Sequence, residues 1–132
     1  MSEPLDLARR VVDLWYTDGS TEELRSLVSP GYVHHAPAAE LTFDEFAGQL
    51  EVIRAAFAER EWAVLHALAD GARVAVYVTF AGTHRGDFFG IPATGRRVTT
   101  AGACFMRLDG GRIAEDWDAW ALQSILFQLR AG

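Results

Sequence analysis

The sequence predicts an α+β fold: a cone-shaped barrel of curved antiparallel sheet covered by helices from the N-terminal half. Three observations carry this. Apolar residues recur at helical spacing early in the chain, the period shortens to that of strands from Trp62 onward, and the strand-like stretches follow one another with only turn signals between them. Helices grouped ahead of hairpin-linked strands must cover one face of the sheet. A curved sheet covered in this way encloses a pocket.

Leu5, Leu7, Ala8, Val11, Val12, Leu14 and Trp15 follow Pro4 at helical spacing until Asp18-Gly19 stops the pattern. Ser20-Thr21-Glu22-Glu23 starts a short second helix, through Leu24, Leu27 and Val28, that ends at Pro30-Gly31. A brief extended segment, Tyr32-Val33-His34-His35, is closed by Pro37. Thr42 and Glu45 have capping-box spacing ahead of an amphipathic third helix through Phe43, Phe46, Ala47, Leu50, Ile53, Arg54 and Phe57. Trp62–Ala69, Arg73–His84, Val98–Leu108 and Arg112–Trp120 are the four predicted antiparallel strands, and Leu122–Leu129 forms a closing helix.

At 132 residues, half of them hydrophobic, the chain reads as a single domain with a sizeable core. The balance of 12 basic against 18 acidic residues disfavours nucleic acid and anionic membranes as partners. No run of apolar residues reaches membrane-spanning or signal-peptide length, so the expected location is the cytoplasm. A lone cysteine, Cys104, can neither close an intrachain disulfide nor build a cysteine-based zinc site. Adjacent His34 and His35 point to opposite sides of a strand and no ligand-spaced triad accompanies them, so no metal is expected.

The last hairpin carries the candidate chemistry. A three-residue Asp109-Gly110-Gly111 loop would set Met106 opposite Ala114, Cys104 opposite Asp116 and Gly102 opposite Asp118. Cys104, Met106, Asp116, Asp118 and Trp120 then share one face, and Arg107 and Trp117 point the other way. Two aspartates on a tryptophan-flanked strand are unusual, because unpaired Asp is disfavoured in strands and cores. A pocket explains them.

The segment from His84 to Val98, which contains Gly86-Asp87-Phe88-Phe89-Gly90-Ile91-Pro92-Ala93-Thr94-Gly95-Arg96-Arg97-Val98, and the hairpin Phe105-Met106-Arg107-Leu108-Asp109-Gly110-Gly111-Arg112-Ile113-Ala114-Glu115-Asp116-Trp117-Asp118 resemble the motifs of the SnoaL-like polyketide cyclases, a family of the nuclear-transport-factor-two-like fold group. The resemblance implies a cofactor-free intramolecular aldol closure on an aromatic polyketide-like molecule, as in antibiotic biosynthesis, with Asp118 as general acid/base. It also implies His35, rather than His34, as the pocket histidine of the early strand, with Cys104 where the family has another histidine and Ala121 where it often has a second aspartate. His35, Cys104, Asp116, Trp120 and Met106 are the expected substrate-binding residues. An apolar setting, and Asp116 on the same face, would raise the pKa of Asp118 toward the working range. An epoxide hydrolase or isomerase on the same fold would want an arginine and a second carboxylate in the pocket, and a binding module would use the aspartates only to orient a ligand. The sheet's uncovered face predicts a homodimer.

Overall fold

The computed structural model describes residues 3–131. Its elements run α1 (Glu3–Tyr16), α2 (Thr21–Ser26), β1 (Val28–Ala36), β2 (Ala39–Leu41), α3 (Phe43–Ala56), β3 (Phe57–Asp70), β4 (Arg73–His84), β5 (Arg97–Asp109), β6 (Arg112–Trp120) and α4 (Leu122–Arg130). The six strands form one sheet in the order β2-β1-β6-β5-β4-β3. The α+β class and the curved, helix-covered sheet are as expected. The sheet is not closed, however, and it is not wholly antiparallel, because β1 lies parallel to β6. Parallel neighbours need a long connection between them, which helix α3 and the four intervening strands supply.

The helices form because their apolar residues face one way. In α1, Ala8, Val11, Val12, Leu14, Trp15 and Tyr16 are buried. At the start of α3 the capping box is formed: the Glu45 amide donates to Thr42 Oγ1 and the Thr42 amide donates to Glu45 Oε1. Ser20, expected as a capping side chain, instead donates its hydroxyl back to the carbonyl oxygens of Leu14 and Thr17. The α1–α3 junction is held by Arg54, whose buried guanidinium donates to the Trp15 and Leu14 carbonyl oxygens at 3.0 and 2.8 Å. These are carbonyls that the end of α1 leaves without helical partners. The two helices are thereby fixed over the concave face.

The β5–β6 hairpin differs from the expected register. Its turn has two residues, Gly110 and Gly111, both in the left-handed region (φ 58° and 79°), so Asp109 pairs with Arg112 and Leu108 with Ile113. A bulge then inserts one extra residue, after which Arg107 pairs with Glu115, Met106 with Asp116, Cys104 with Asp118 and Gly102 with Trp120. Two left-handed glycines favour the shorter loop. The bulge, marked by adjacent buried Ile113 and Ala114, restores the alternation. Cross-strand partners move by two residues, but Asp116, Asp118 and Trp120 still share the inward face with Cys104 and Met106.

Candidate active site

Inside the cone, between the concave face of the sheet and helices α1, α3 and α4, lies a cavity of about 840 Å³. Its wall is mostly apolar and aromatic: Trp15, Tyr16, Phe46, Phe57, Phe80, Phe88 and Trp120 line it. Among the described residues its charged side chains are Asp118 and His34, with Thr100, Gln49 and Gln123 as further polar groups. The Thr100 hydroxyl is buried without a hydrogen-bond partner. An apolar wall of this size with a few convergent polar groups is the usual form of a small-molecule site.

Strand pairing assembles the polar cluster. In the parallel β1–β6 ladder His34 stands beside Asp116, and Asp118 follows two residues on, on the same face. His34 Nδ1 lies 2.5 Å from Asp116 Oδ1, and His34 Nε2 lies 3.1 Å from Asp118 Oδ2. The second oxygen of Asp116 accepts the Tyr32 hydroxyl at 2.7 Å. The His34 ring stacks on Phe46 with centroids 3.9 Å apart. His34 and Asp116 are each 1% exposed, whereas the Asp118 side chain, at 12%, opens onto the cavity.

Burial pulls the His34 pKa down, but the hydrogen bonds and charges of Asp116 and Asp118 outweigh it and hold the imidazole at about 9. The Tyr32 hydroxyl is pushed well up by burial and by the Asp116 charge, and Tyr16 by burial and Asp118, so both stay neutral. Burial also pushes the Cys104 thiol up, with the two aspartates adding to it, so it is no nucleophile.

A folded-state pKa above the ordinary histidine value stabilises the fold most fully below about pH 6.5, and that stabilisation is lost as pH rises through about 9. Every one of the 12 basic residues is an arginine, so no lysine titrates in that window. Thermal melts are expected to show a midpoint that is highest below about pH 6.5, falls as pH rises from there to about 9, and levels off above. A flat midpoint across that interval would contradict the protonated His34.

The structure reverses the choice between the two histidines. His35 faces away from the cavity, stacked on Trp117 at 4.9 Å, with its ring nitrogens 2.9 and 2.8 Å from Glu40 and Glu115. Strand alternation allows one of the two inside, and pairing with β6 puts His34 there. Trp120 and Asp118 line the cavity as expected. Asp116, Cys104 and Met106 are on the predicted face but lie beneath the lining, 1%, 2% and 1% exposed. Asp116 does not act on Asp118 as a bare neighbouring charge, because the His34 ring stands between them. Arg107 points outward to Glu115, and the described lining holds no arginine of the kind an epoxide-opening site would want. Thr100 and the helix residues of the wall were missed. Thr100 could have been found from its even position on β5, in phase with Gly102 and Cys104. No group of metal-ligating side chains occurs among the described residues, and no helix is long and apolar enough to cross a membrane.

A helix-covered curved sheet around an apolar cavity, with a carboxylate–imidazole cluster on its inner face, has the form of a small-molecule site. The chain belongs to the SnoaL-like polyketide cyclase family, whose family model matches residues 5–129. It is 33% identical over 128 residues to aklanonic acid methyl ester cyclase DauD of Streptomyces sp. (strain C5), covering 89% of this chain and 76% of that protein. Aklanonic acid methyl ester cyclase DnrD of Streptomyces peucetius is 31% identical over 126 residues, covering 89% and 85%. Among solved structures, AclR from Streptomyces galilaeus, a candidate hydroxylase, superposes with a TM-score of 0.89 at 27% identity over 98% of this chain and 82% of its own. IdmH from Streptomyces antibioticus, a candidate polyketide cyclase, gives 0.86 at 26% over 98% and 100%.

Proposed function

We propose that this protein closes a ring on an aromatic polyketide-like substrate by intramolecular aldol addition, with Asp118 as the acid/base. Asp118 removes a proton from a carbon held between two carbonyls, and the resulting enolate attacks a second carbonyl of the same molecule, forming the carbon–carbon bond. The proton on Asp118 then passes to the new alkoxide. Nothing leaves and nothing is oxidised, so the side chains present suffice. The observation that carries the reading is the Asp118 carboxylate, the one carboxylate among the described residues of a mostly apolar, aromatic wall. The names of the two relatives support it.

Incubation with aklanonic acid methyl ester, the compound for which the two relatives are named, followed by chromatography and mass spectrometry, tests the reading. The expected product has the substrate's mass and a new retention time. Substrate recovered unchanged from a tight complex would favour a binding module.

The same reading takes the protein to be cytoplasmic and a homodimer. Leu68, Ala75, Phe105 and Trp117 are cross-strand partners in one row on the outer face of β3 to β6. Leu68, Phe105 and Trp117 are 75%, 59% and 37% exposed, and Tyr77 beside them is 42% exposed. Such a face is stabilised by a second copy packed against it. Light scattering at tens of micromolar is expected to give twice the 14.5 kDa chain mass, and a monodisperse monomer would overturn the dimer.

A further inference from the structure

We propose that His34 is the positioning residue of this reaction: held as an imidazolium by the buried Tyr32–Asp116 pair, it fixes one oxygen of Asp118 and leaves the other to meet the substrate. The proposal rests on the reading of Asp118 as the base.

The geometry requires two N–H groups. Each ring nitrogen of His34 faces a carboxylate oxygen, Asp116 Oδ1 at 2.5 Å and Asp118 Oδ2 at 3.1 Å. Ionised carboxylates only accept, and a neutral imidazole has a single N–H to give. One of the two contacts would therefore set a lone pair against an anion, so the arrangement is satisfied by the cation. The ring cannot turn to escape, because Phe46 stacks on it at 3.9 Å and the Tyr32 hydroxyl fixes the other oxygen of Asp116. Asp118 Oδ1 makes no hydrogen bond or ion pair among the described residues, and Asp118 is the member of the cluster that opens onto the cavity.

The charges balance through the cycle. With Asp116 and Asp118 ionised and His34 protonated, the cluster carries one surplus negative charge. Asp116, sealed from the cavity and bonded at both oxygens, offsets the imidazolium permanently. Accepting the substrate proton makes Asp118 neutral and moves the surplus charge to the enolate. Delivering that proton to the alkoxide restores the starting state. His34 keeps its proton throughout, so its part is to hold the acceptor in place.

The titratable groups around His34 are Asp116 and Asp118 from β6, Cys104 from β5, Tyr16 from α1 and Tyr32 on its own strand, and α3 presents the uncharged Phe46 ring. The thiol and both phenols are pushed upward, so in the alkaline range the group that changes charge is His34. Loss of its proton frees Asp118 from its tether.

The test is the pH profile of kcat for the ring closure. Wild type is expected to show an alkaline limb near pH 9. Asp116→Asn should move that limb to lower pH. His34→Gln should abolish it and lower kcat at neutral pH by about 10²-fold, with KM little changed. A limb that persists unmoved in His34→Gln overturns the proposal. Nitrogen NMR on wild type answers even if a variant misfolds: both His34 ring nitrogens are expected protonated at pH 7.5, and a neutral tautomer there overturns it. Full activity in Asp118→Asn would defeat the base reading, whereas an inactive Asp118→Asn beside an unchanged limb in His34→Gln defeats the His34 role alone.

Discussion

Asp118→Asn is expected to lower turnover by about 10²–10⁴-fold while leaving ligand affinity nearly unchanged. The amide keeps the shape of the carboxylate and an oxygen to accept the His34 N–H, so the packing of β6 on β1 is retained. It cannot accept a proton from carbon. The site offers no substitute on the cavity wall: His34 has both ring nitrogens engaged, and Tyr16 is held neutral by burial and the Asp118 charge. Steady-state kinetics with a matched binding measurement would show kcat falling and the dissociation constant holding. A loss confined to KM would mean that Asp118 binds the substrate without reacting.

The largest effect on stability is expected at Asp116, where Asp116→Ala should remove about 3–5 kcal/mol. Asp116 is 1% exposed and accepts from two buried groups, Tyr32 at 2.7 Å and His34 at 2.5 Å. Truncation strands a phenol hydroxyl and leaves an imidazolium with only the more distant Asp118. The resulting penalty belongs to the unpaired groups more than to the lost contacts. Asp116→Asn still accepts the Tyr32 hydroxyl and should cost less. Urea unfolding would separate the cases, with a lowered midpoint at unchanged slope. A loss below about 1 kcal/mol for the alanine variant would contradict the arrangement.

Helices α1 and α3, the last three strands and the closing helix were legible because each has a long, single-period apolar pattern bounded by turn residues. Shorter or mixed signals were not. The short α2 ends at Ser26, and Val28, Pro30 and Gly31, read as its end, belong to β1. The three-residue β2 has no period to detect. The first residues of β3 were hidden because Phe57 completes the helical pattern of α3 and Glu59, Arg60 and Glu61 read as a charged linker. In the structure Phe57 and Ala58 pair with His84 and Thr83, and the Arg60 guanidinium caps the Tyr16 carbonyl at 2.8 Å.

The inward face of β6 was read correctly through two departures that cancel. The two-residue Gly110-Gly111 turn inverts the parity expected of a three-residue loop, and the bulge beside it inverts the parity again. Asp118 and Trp120 therefore reach the cavity as anticipated. His34 and His35 could not be told apart locally, because a strand of ambiguous pattern takes its facing from its neighbour. That neighbour, β6, is distant in sequence and parallel. Cys104 and Met106 face inward but lie beneath the lining, and no local pattern reports which part of an inward face is left open to the cavity.

Proton removal by Asp118 is tested most directly by solvent deuterium exchange into a substrate analogue that has the acidic carbon between two carbonyls but lacks the carbonyl that the enolate would attack. Wild type is expected to incorporate deuterium at that carbon, read by mass spectrometry, far faster than buffer alone, and Asp118→Asn is expected to fall to the buffer rate while still binding the analogue. Equal exchange in the two proteins, or none in wild type with the analogue bound, would contradict it.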